Sequence, residues 1–312
     1  MKIFYNASIP KNYKRSSIAI GNFDGVHKGH QKVFQKAKRI SKKNKLKFGI
    51  LTFSPLPVMF FNKNIKNHRL SSEAQKLKLF KKQGVDYTIS IKFNKNFSKI
   101  SAVNFIKNVL FKKINPKLVF VSDNFKFGNK RKGNINLLKK LGEKFNYRLL
   151  KINPLTYKRK IISSTRIRKS LATGNIDLAN KLLSRTWHVE GRVRKGKKLG
   201  RKLGYRTCNI LIKEYILPKA GIYKVKILVE NKKKLHNGIA YFGSRPTFKG
   251  KEVFLEVNIF GIKKNLYKKK LKIYFLKFVR NDRKFRNSIE LIKQMNKDVI
   301  IAKKGLKTKL II

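Results

Sequence analysis

The chain has 312 residues, 41 % of them hydrophobic, and carries 79 Lys and Arg against 14 Asp and Glu, a formal charge of +65. That length suggests about two domains, and the apolar share excludes a chain disordered throughout. A single cysteine, Cys208, excludes an intramolecular disulfide and a cysteine metal cluster. No apolar run is long enough to span a bilayer, and Met1 to Pro10 lacks a basic-then-apolar leader pattern, so a cytoplasmic protein is expected.

The basic residues run evenly from Lys2 to Lys309 rather than forming one tail. Lys, Asn, Ile and Phe, all with A/T-rich codons, are abundant together, which reads as compositional drift. The alternative is a basic RNA-binding protein, but no aromatic-basic RNA-recognition motif accompanies the charge. Specific nucleic-acid binding is therefore not expected, although the field still attracts anionic substrates.

In chain order, Ser17–Ile20 is a short apolar run, Gly29–Ile40 a helix with Val33, Phe34, Ala37 and Ile40 on one face, and Phe48–Phe53 a second buried strand. Ser71–Lys82 reads as a helix, Tyr87–Ile91 as a strand, Ala102–Phe111 as a helix and Leu118–Val121 as a strand. This alternation predicts a parallel sheet with helical crossovers. A helical stretch from Thr165 to Leu183 would connect the halves. Beyond it lie β-like runs at Ile222–Val229, Gly238–Phe242, Val253–Phe260 and Leu271–Phe278, then one helix at Ser288–Lys303. That pattern predicts an antiparallel β-barrel closed by a terminal helix. The expected division is 1–184 and 185–312.

Between the first strand and helix stands Gly21-Asn22-Phe23-Asp24-Gly25-Val26-His27-Lys28-Gly29-His30. A helix N-terminus offers free backbone N–H groups to a phosphate, and Gly25 and Gly29 permit close backbone approach. His27 and His30 stand three residues apart at the helix start and so face one anion. Two of the chain's five histidines in such a turn argue for chemistry rather than accident.

This stretch resembles the HxGH nucleotidyltransferase superfamily, a Rossmann-like α/β fold. Ser163-Ser164-Thr165-Arg166-Ile167-Arg168 resembles the S-S-T-x-I-R element of its FMN adenylyltransferase branch, and Asn124-Phe125-Lys126-Phe127-Gly128 resembles its (D/N)-F-x-F-G segment. The resemblance spans roughly Ser16 to Leu183. It implies His27 and His30 as catalytic residues. It implies Gly21, Phe23, Asp24, Gly25, Gly29, Ser163, Ser164, Thr165 and Arg168 around ATP, and Asn124 and Phe127 around the flavin. Two departures stand out. Leu56 occupies the histidine position of a T-F-x-P-H-P element, which removes a polar contact, and Ser122 stands where a glycine is usual.

From Gly191 onward, glycines recur at Gly196, Gly200 and Gly204 and end on Thr207-Cys208-Asn209, as in a flexible loop that wraps phosphates with backbone N–H groups. The stretch resembles the riboflavin kinase signature. Pro218–Tyr223, Gly243-Ser244-Arg245-Pro246-Thr247-Phe248, Leu255–Phe260, Lys277–Arg280 and Lys284-Phe285 follow in that family's order. Arg206 and Cys208 replace its usual Pro and Ala, and Asn258 and Lys268 its usual His and Gly. On this likeness Gly196, Gly200 and Gly204 hold phosphate, and Thr207 and Asn209 hold Mg²⁺. Glu256 is the general base that a primary hydroxyl needs before it can attack phosphorus. The two resemblances together imply a bifunctional riboflavin kinase and FMN adenylyltransferase that uses riboflavin, FMN and ATP. A kinase alone, with a degenerate first half as Leu56 hints, is the narrower alternative.

Overall fold

The apolar runs of the first half do form buried strands, and the reason is visible in their alternation. In the computed structural model, Ser17–Ile20 (β2) is buried at every position, as a strand covered on both faces must be. The structure describes residues 1–196, 200, 203–243, 253–262, 264–304 and 310–311, without the side chains of 253 and 254. Lys197, Lys198, Leu199, Arg201 and Lys202 of the glycine-rich stretch, and Ser244–Phe248 of the G-x-R-P-T-F element, lie outside the described residues.

Two compact units emerge from the internal contacts: Met1–Lys66 with Ser72–Ser163, and Asn67–Ser71 with Ser164–Ile312. The first holds β1 (Lys2–Phe4), β2, β3 (Phe48–Ser54), β4 (Tyr87–Lys92), β5 (Leu118–Ser122) and β6 (Arg148–Ile152), all parallel, in the order β1-β4-β3-β2-β5-β6. Neighbouring residues of β2 and β3 feed opposite cores. Ile18, Ile20, Leu51 and Ile89 join one cluster, whereas Ala19, Phe48, Ile50 and Phe120 join the other. The helix Lys28–Lys43 covers the second cluster with Val33, Phe34 and Ala37. Ser72 caps the helix Glu73–Lys82 in a reciprocal capping box with Gln75. The segment expected as one α-helix over Ala102–Phe111 begins as Ala102–Asn104 and continues to Ile114 in wider π-type turns. A two-residue hairpin, β7 (Thr156–Tyr157) with β8 (Lys160–Ile161), follows the sheet.

The second unit opens with two helices where the sequence suggested one. Ser164–Ala172 and Ile176–Leu183 are separated at Gly174, whose φ of +80° suits glycine. Asn180 ties the second helix to the barrel: its Nδ2 donates to the Phe275 carbonyl at 3.0 Å, and its Oδ1 accepts from Trp187 N–H at 2.7 Å. Strands β9 (His188–Arg194), β10 (Thr207–Ile212), β11 (Gly221–Val229), β12 (Leu235–Phe242), β13 (Val253–Ile259) and β14 (Lys270–Asn281) close into an antiparallel barrel of order β10-β13-β12-β11-β14-β9. The expected terminal helix is present at Ser288–Lys303, capped by Asn287. Residues Asn67–Ser71 are a strap on this unit. His68 and Arg69 N–H groups bond the Glu214 carbonyl at 2.8 and 2.7 Å, and Trp187 Nε1 donates to the Leu70 carbonyl at 2.9 Å.

Gly191 corrects the loop reading. It belongs to β9, opposite Leu271, and a Cβ there would lie 2.5 Å from Ile210 Cγ2. Its role is strand packing, and the loop proper begins after Arg194.

Candidate active sites

In the parallel sheet, the chain runs from β2 to β3 and β4 on one side, then returns to place β5 on the other. The carboxyl ends of β2 and β5 therefore flank a topological switch point, where open α/β sheets bind ligands. The Gly21–His30 turn leaves β2 there, and Ser122 to Asn124 leave β5. Phe23, Gly25 and Val26 all take positive φ, +48°, +76° and +39°, a cluster of backbone strain of the kind that functional turns hold.

His27 is the N-cap of the following helix, and its Nδ1 accepts from His30 N–H at 3.4 Å. That bond leaves Nδ1 without a proton and Nε2 as the donor. The His27 and His30 rings stack with centroids 3.6 Å apart, so the two imidazoles form one surface at the helix start. Gly29 cannot carry a side chain here: a Cβ would lie 3.1 Å from the His27 ring and 3.3 Å from the Ile162 carbonyl. The backbone just before Ser163 thus lies against the helix start. Gly21 has a similar role, since its Cβ would meet the Phe23 ring at 3.0 Å.

Several sequence-nominated residues have a different environment from the one expected. The Phe23 ring is core, edge-on to Phe34 at 4.8 Å and to His30 at 5.2 Å, so only its backbone can face a nucleotide. Asp24 is buried. Phe127 is buried against Phe105 and bonds Gly133 in both directions through its backbone, while Phe125 stacks on it and Asn124 is exposed. Leu56 is buried and caps a short helix, Pro57–Phe61, without a side-chain bond; the position is one of packing. Ser163 closes the first unit, and Ser164, Thr165 and Arg168 stand in the first helix of the second. Arg168 Nε donates to the His68 carbonyl at 2.8 Å, which anchors it to the strap.

In the barrel, register assembles the second constellation. Asn209 lies directly opposite Glu256, and Thr207 opposite Asn258. Leu255, Val257 and Ile259 point into the core, so Glu256 stands on the outer face, half-buried, between Asn209 on one side and Tyr241 on the other. The glycines press onto this row. A Cβ on Gly196 would lie 2.1 Å from Asn209 Nδ2, and one on Gly200 3.1 Å from Thr207 Oγ1. Gly204 takes φ +80°. A cavity of about 300 Å³ opens beside Thr207 and Arg206, walled by Ile259, Ile262 and Leu266 with Lys264 at its edge. Cys208 shares that wall, and burial pushes its thiol up to about 11, so it stays neutral and inert at physiological pH. Sequence reading missed the wall formed by Ile262, Lys264, Asn265, Leu266 and Tyr267 because lysines recur throughout the chain and no glycine motif marks these residues. No cluster of three His, Cys, Asp or Glu side chains able to hold a metal occurs among the described residues. Thr207 and Asn209 carry hydroxyl and amide oxygens, hard donors of the type that could hold Mg²⁺.

A sheet with an HxGH turn at its switch point, followed by a barrel carrying a glycine loop and an outward glutamate, defines a flavin nucleotide-forming enzyme of two parts. Family models for FAD synthetase and riboflavin kinase match residues 9–166 and 183–306. The bifunctional riboflavin kinase/FMN adenylyltransferase of Buchnera aphidicola (subsp. Schizaphis graminum) is 42 % identical over 95 % of this chain and 96 % of its own length. That of Escherichia coli K12 is 33 % identical over 92 % and 91 %. A crystal structure described as a macrolide-efflux protein from Streptococcus pneumoniae has 26 % identity and a TM-score of 0.83, covering 97 % of this chain and 98 % of that one. The chain belongs to the bifunctional riboflavin kinase/FMN adenylyltransferase family. No helix among the described residues is long and apolar enough to cross a membrane.

Proposed function

We propose that the chain makes FMN from riboflavin at the barrel and FAD from FMN at the parallel sheet, each with its own ATP. The observation that carries this reading is that the Gly21–His30 turn belongs to one compact unit, whereas Glu256 and Asn209 belong to the other. In the barrel, Glu256 accepts the proton of the ribityl primary hydroxyl as its oxygen attacks the γ-phosphorus of ATP and ADP leaves. Thr207 and Asn209 would hold Mg²⁺, which neutralises phosphate charge, and Gly196, Gly200 and Gly204 let the loop approach the triphosphate. The adjoining cavity, which pairs the apolar side chains of Ile259, Ile262 and Leu266 with Arg206, Lys264 and Asn265, suits the nucleotide.

At the sheet, an FMN phosphate oxygen attacks the α-phosphorus of ATP and pyrophosphate leaves. His27 and His30 offer hydrogen bonds to the charge that develops there. The turn Gly21–Gly29 and the hydroxyl of Ser163 line the anion's approach, and Asn124 and Phe127 mark the flavin side. In this reading residues 1–184 serve adenylyl transfer and 185–312 phosphorylation. Ser164, Thr165 and Arg168 are thus assigned by motif to the first activity while packing with the second unit. A chain with one neutral thiol suits the cytoplasm.

Two substitutions separate the activities. Glu256→Gln keeps size and hydrogen bonding but removes the base; it abolishes FMN formation and leaves FAD formation from supplied FMN intact. His30→Ala slows FAD formation by roughly 10²–10³, the usual cost of one preorganised donor, and spares FMN formation. Chromatographic resolution of FMN and FAD from riboflavin and Mg-ATP reads both. Loss of both activities in folded Glu256→Gln protein would mean a single shared site.

A further inference from the structure

Beneath the HxGH turn lies a buried cation that the reaction as described does not use. Lys76 is 0 % exposed on the helix Glu73–Lys82. Its Nζ lies 3.2 Å from Glu73 Oε2 and 3.2 Å from Thr52 Oγ1. Thr52 and Ser90 are paired across β3 and β4, and Ser90 Oγ donates to Glu73 Oε1 at 3.1 Å. Thr52 Oγ1 in turn donates to the Asn22 carbonyl at 3.1 Å. The relay thus runs from a buried ammonium into the turn that bears His27 and His30.

Its direction is fixed by chemistry. An ammonium only donates, so Thr52 accepts from Lys76 and has its single proton for Asn22. A hydroxyl that accepts from a cation is polarised into a better donor. The Asn22–Phe23 peptide is trans, so a carbonyl drawn toward Thr52 turns the Phe23 N–H to the opposite side. That N–H finds no acceptor among the described residues, and Phe23 holds a positive φ of +48°, a conformation that the surroundings must enforce. Burying an ion pair seldom stabilises more than apolar packing would, so the relay's value lies in what it aims.

We propose that Lys76, acting through Thr52, is a positioning residue for adenylyl transfer: it locks the Asn22–Phe23 peptide so that the Phe23 N–H faces the phosphate chain of the nucleotide. The proposal rests on the reading of the sheet as the FAD-forming site.

Four variants test it: Thr52→Val, which removes the hydroxyl and leaves the Lys76–Glu73 pair; Lys76→Met, which removes the charge at similar length; the double variant of these two; and Lys76→Arg, which keeps the charge. Steady-state FAD formation from FMN and ATP is followed, with thermal melting as the check on folding. The expected result is a fall in kcat of roughly 10- to 100-fold in Thr52→Val and in Lys76→Met, the range for a hydrogen bond to a charged group. The KM for FMN stays unchanged, the double variant is no slower than Lys76→Met, and Lys76→Arg recovers part of the rate. If Lys76→Met does not fold, Thr52→Val carries the test. Parental kcat in folded Thr52→Val, or multiplying effects in the double variant, overturns the relay and leaves Lys76 as a helix anchor. If the parent chain itself forms no FAD, the sheet's assignment fails and the proposal falls with it; if the parent forms FAD and His30→Ala abolishes it while Thr52→Val does not slow it, only the relay falls.

Discussion

The Asp298 carboxylate clamps the terminal helix to the barrel, and its removal should be felt in both stability and ATP use. Asp298 accepts from Arg280 Nε at 2.8 Å, from Arg280 Nη2 at 2.6 Å and from Gln294 Nε2 at 2.8 Å. Its side chain is 2 % exposed against 21 % for Arg280. Asp298→Ala strands a guanidinium, and breaking a fully buried pair costs about 3–5 kcal/mol. Arg280 retains some water and its Nη1 bond to the Asn281 carbonyl, so a loss of about 2–3 kcal/mol is expected. Tyr205, which follows Gly204, donates its hydroxyl to Asn296 on the same helix. Loosening the helix should therefore raise the KM for ATP in riboflavin phosphorylation and leave FAD formation from FMN unchanged. Trp187, the single tryptophan, is buried in this unit against Phe275, so its fluorescence during urea unfolding reports the barrel alone. A midpoint shift worth less than about 0.5 kcal/mol, the range of ordinary surface substitutions, would refute the clamp.

Two further outcomes test the packing and the charge. Gly49 faces Tyr87 across β3 and β4, and a Cβ would lie 2.1 Å from Tyr87 Cζ. Burial pushes the Tyr87 hydroxyl up to about 12 while it bonds Ser16 at 2.5 Å, so the ring has nowhere to retreat. Gly49→Ala should cost about 1–3 kcal/mol, seen as earlier thermal loss of FAD formation than of riboflavin phosphorylation. For Glu190, burial pushes the carboxyl up, but bonds from His188 and Lys270 outweigh it and hold it well below the usual carboxylate range. A depressed folded pKa stabilises above the unfolded value, about 4.3, and that stability is lost as pH falls below it. Glu190→Gln should therefore flatten the decline of melting temperature below about pH 5, read by Trp187 fluorescence. Parallel decline in parent and variant would remove Glu190 from the account.

Local sequence pattern was enough for the two architectures and for the place of the two motif clusters in the chain. Period-2 and period-3.6 patterns placed Ser17–Ile20, the helix after His27, the later barrel strands and Ser288–Lys303 close to their observed bounds, because those patterns record which face each element buries. The HxGH turn was legible for a local reason: a helix start, two histidines and the glycines that admit a phosphate are neighbours in the chain. Whatever depends on distant partners emerged only on folding. Gly191 became a strand residue because β14 pairs with it, and Arg168 became an anchored side chain because the strap Asn67–Ser71 returns to meet it. Phe23 and Phe127 turned inward because rings from other elements surround them. Glu256 met Asn209 through antiparallel register, which a one-residue slip would have reversed. Lys76 read as one cation among 79; only the fold, by burying it under Thr52, gave its charge a direction.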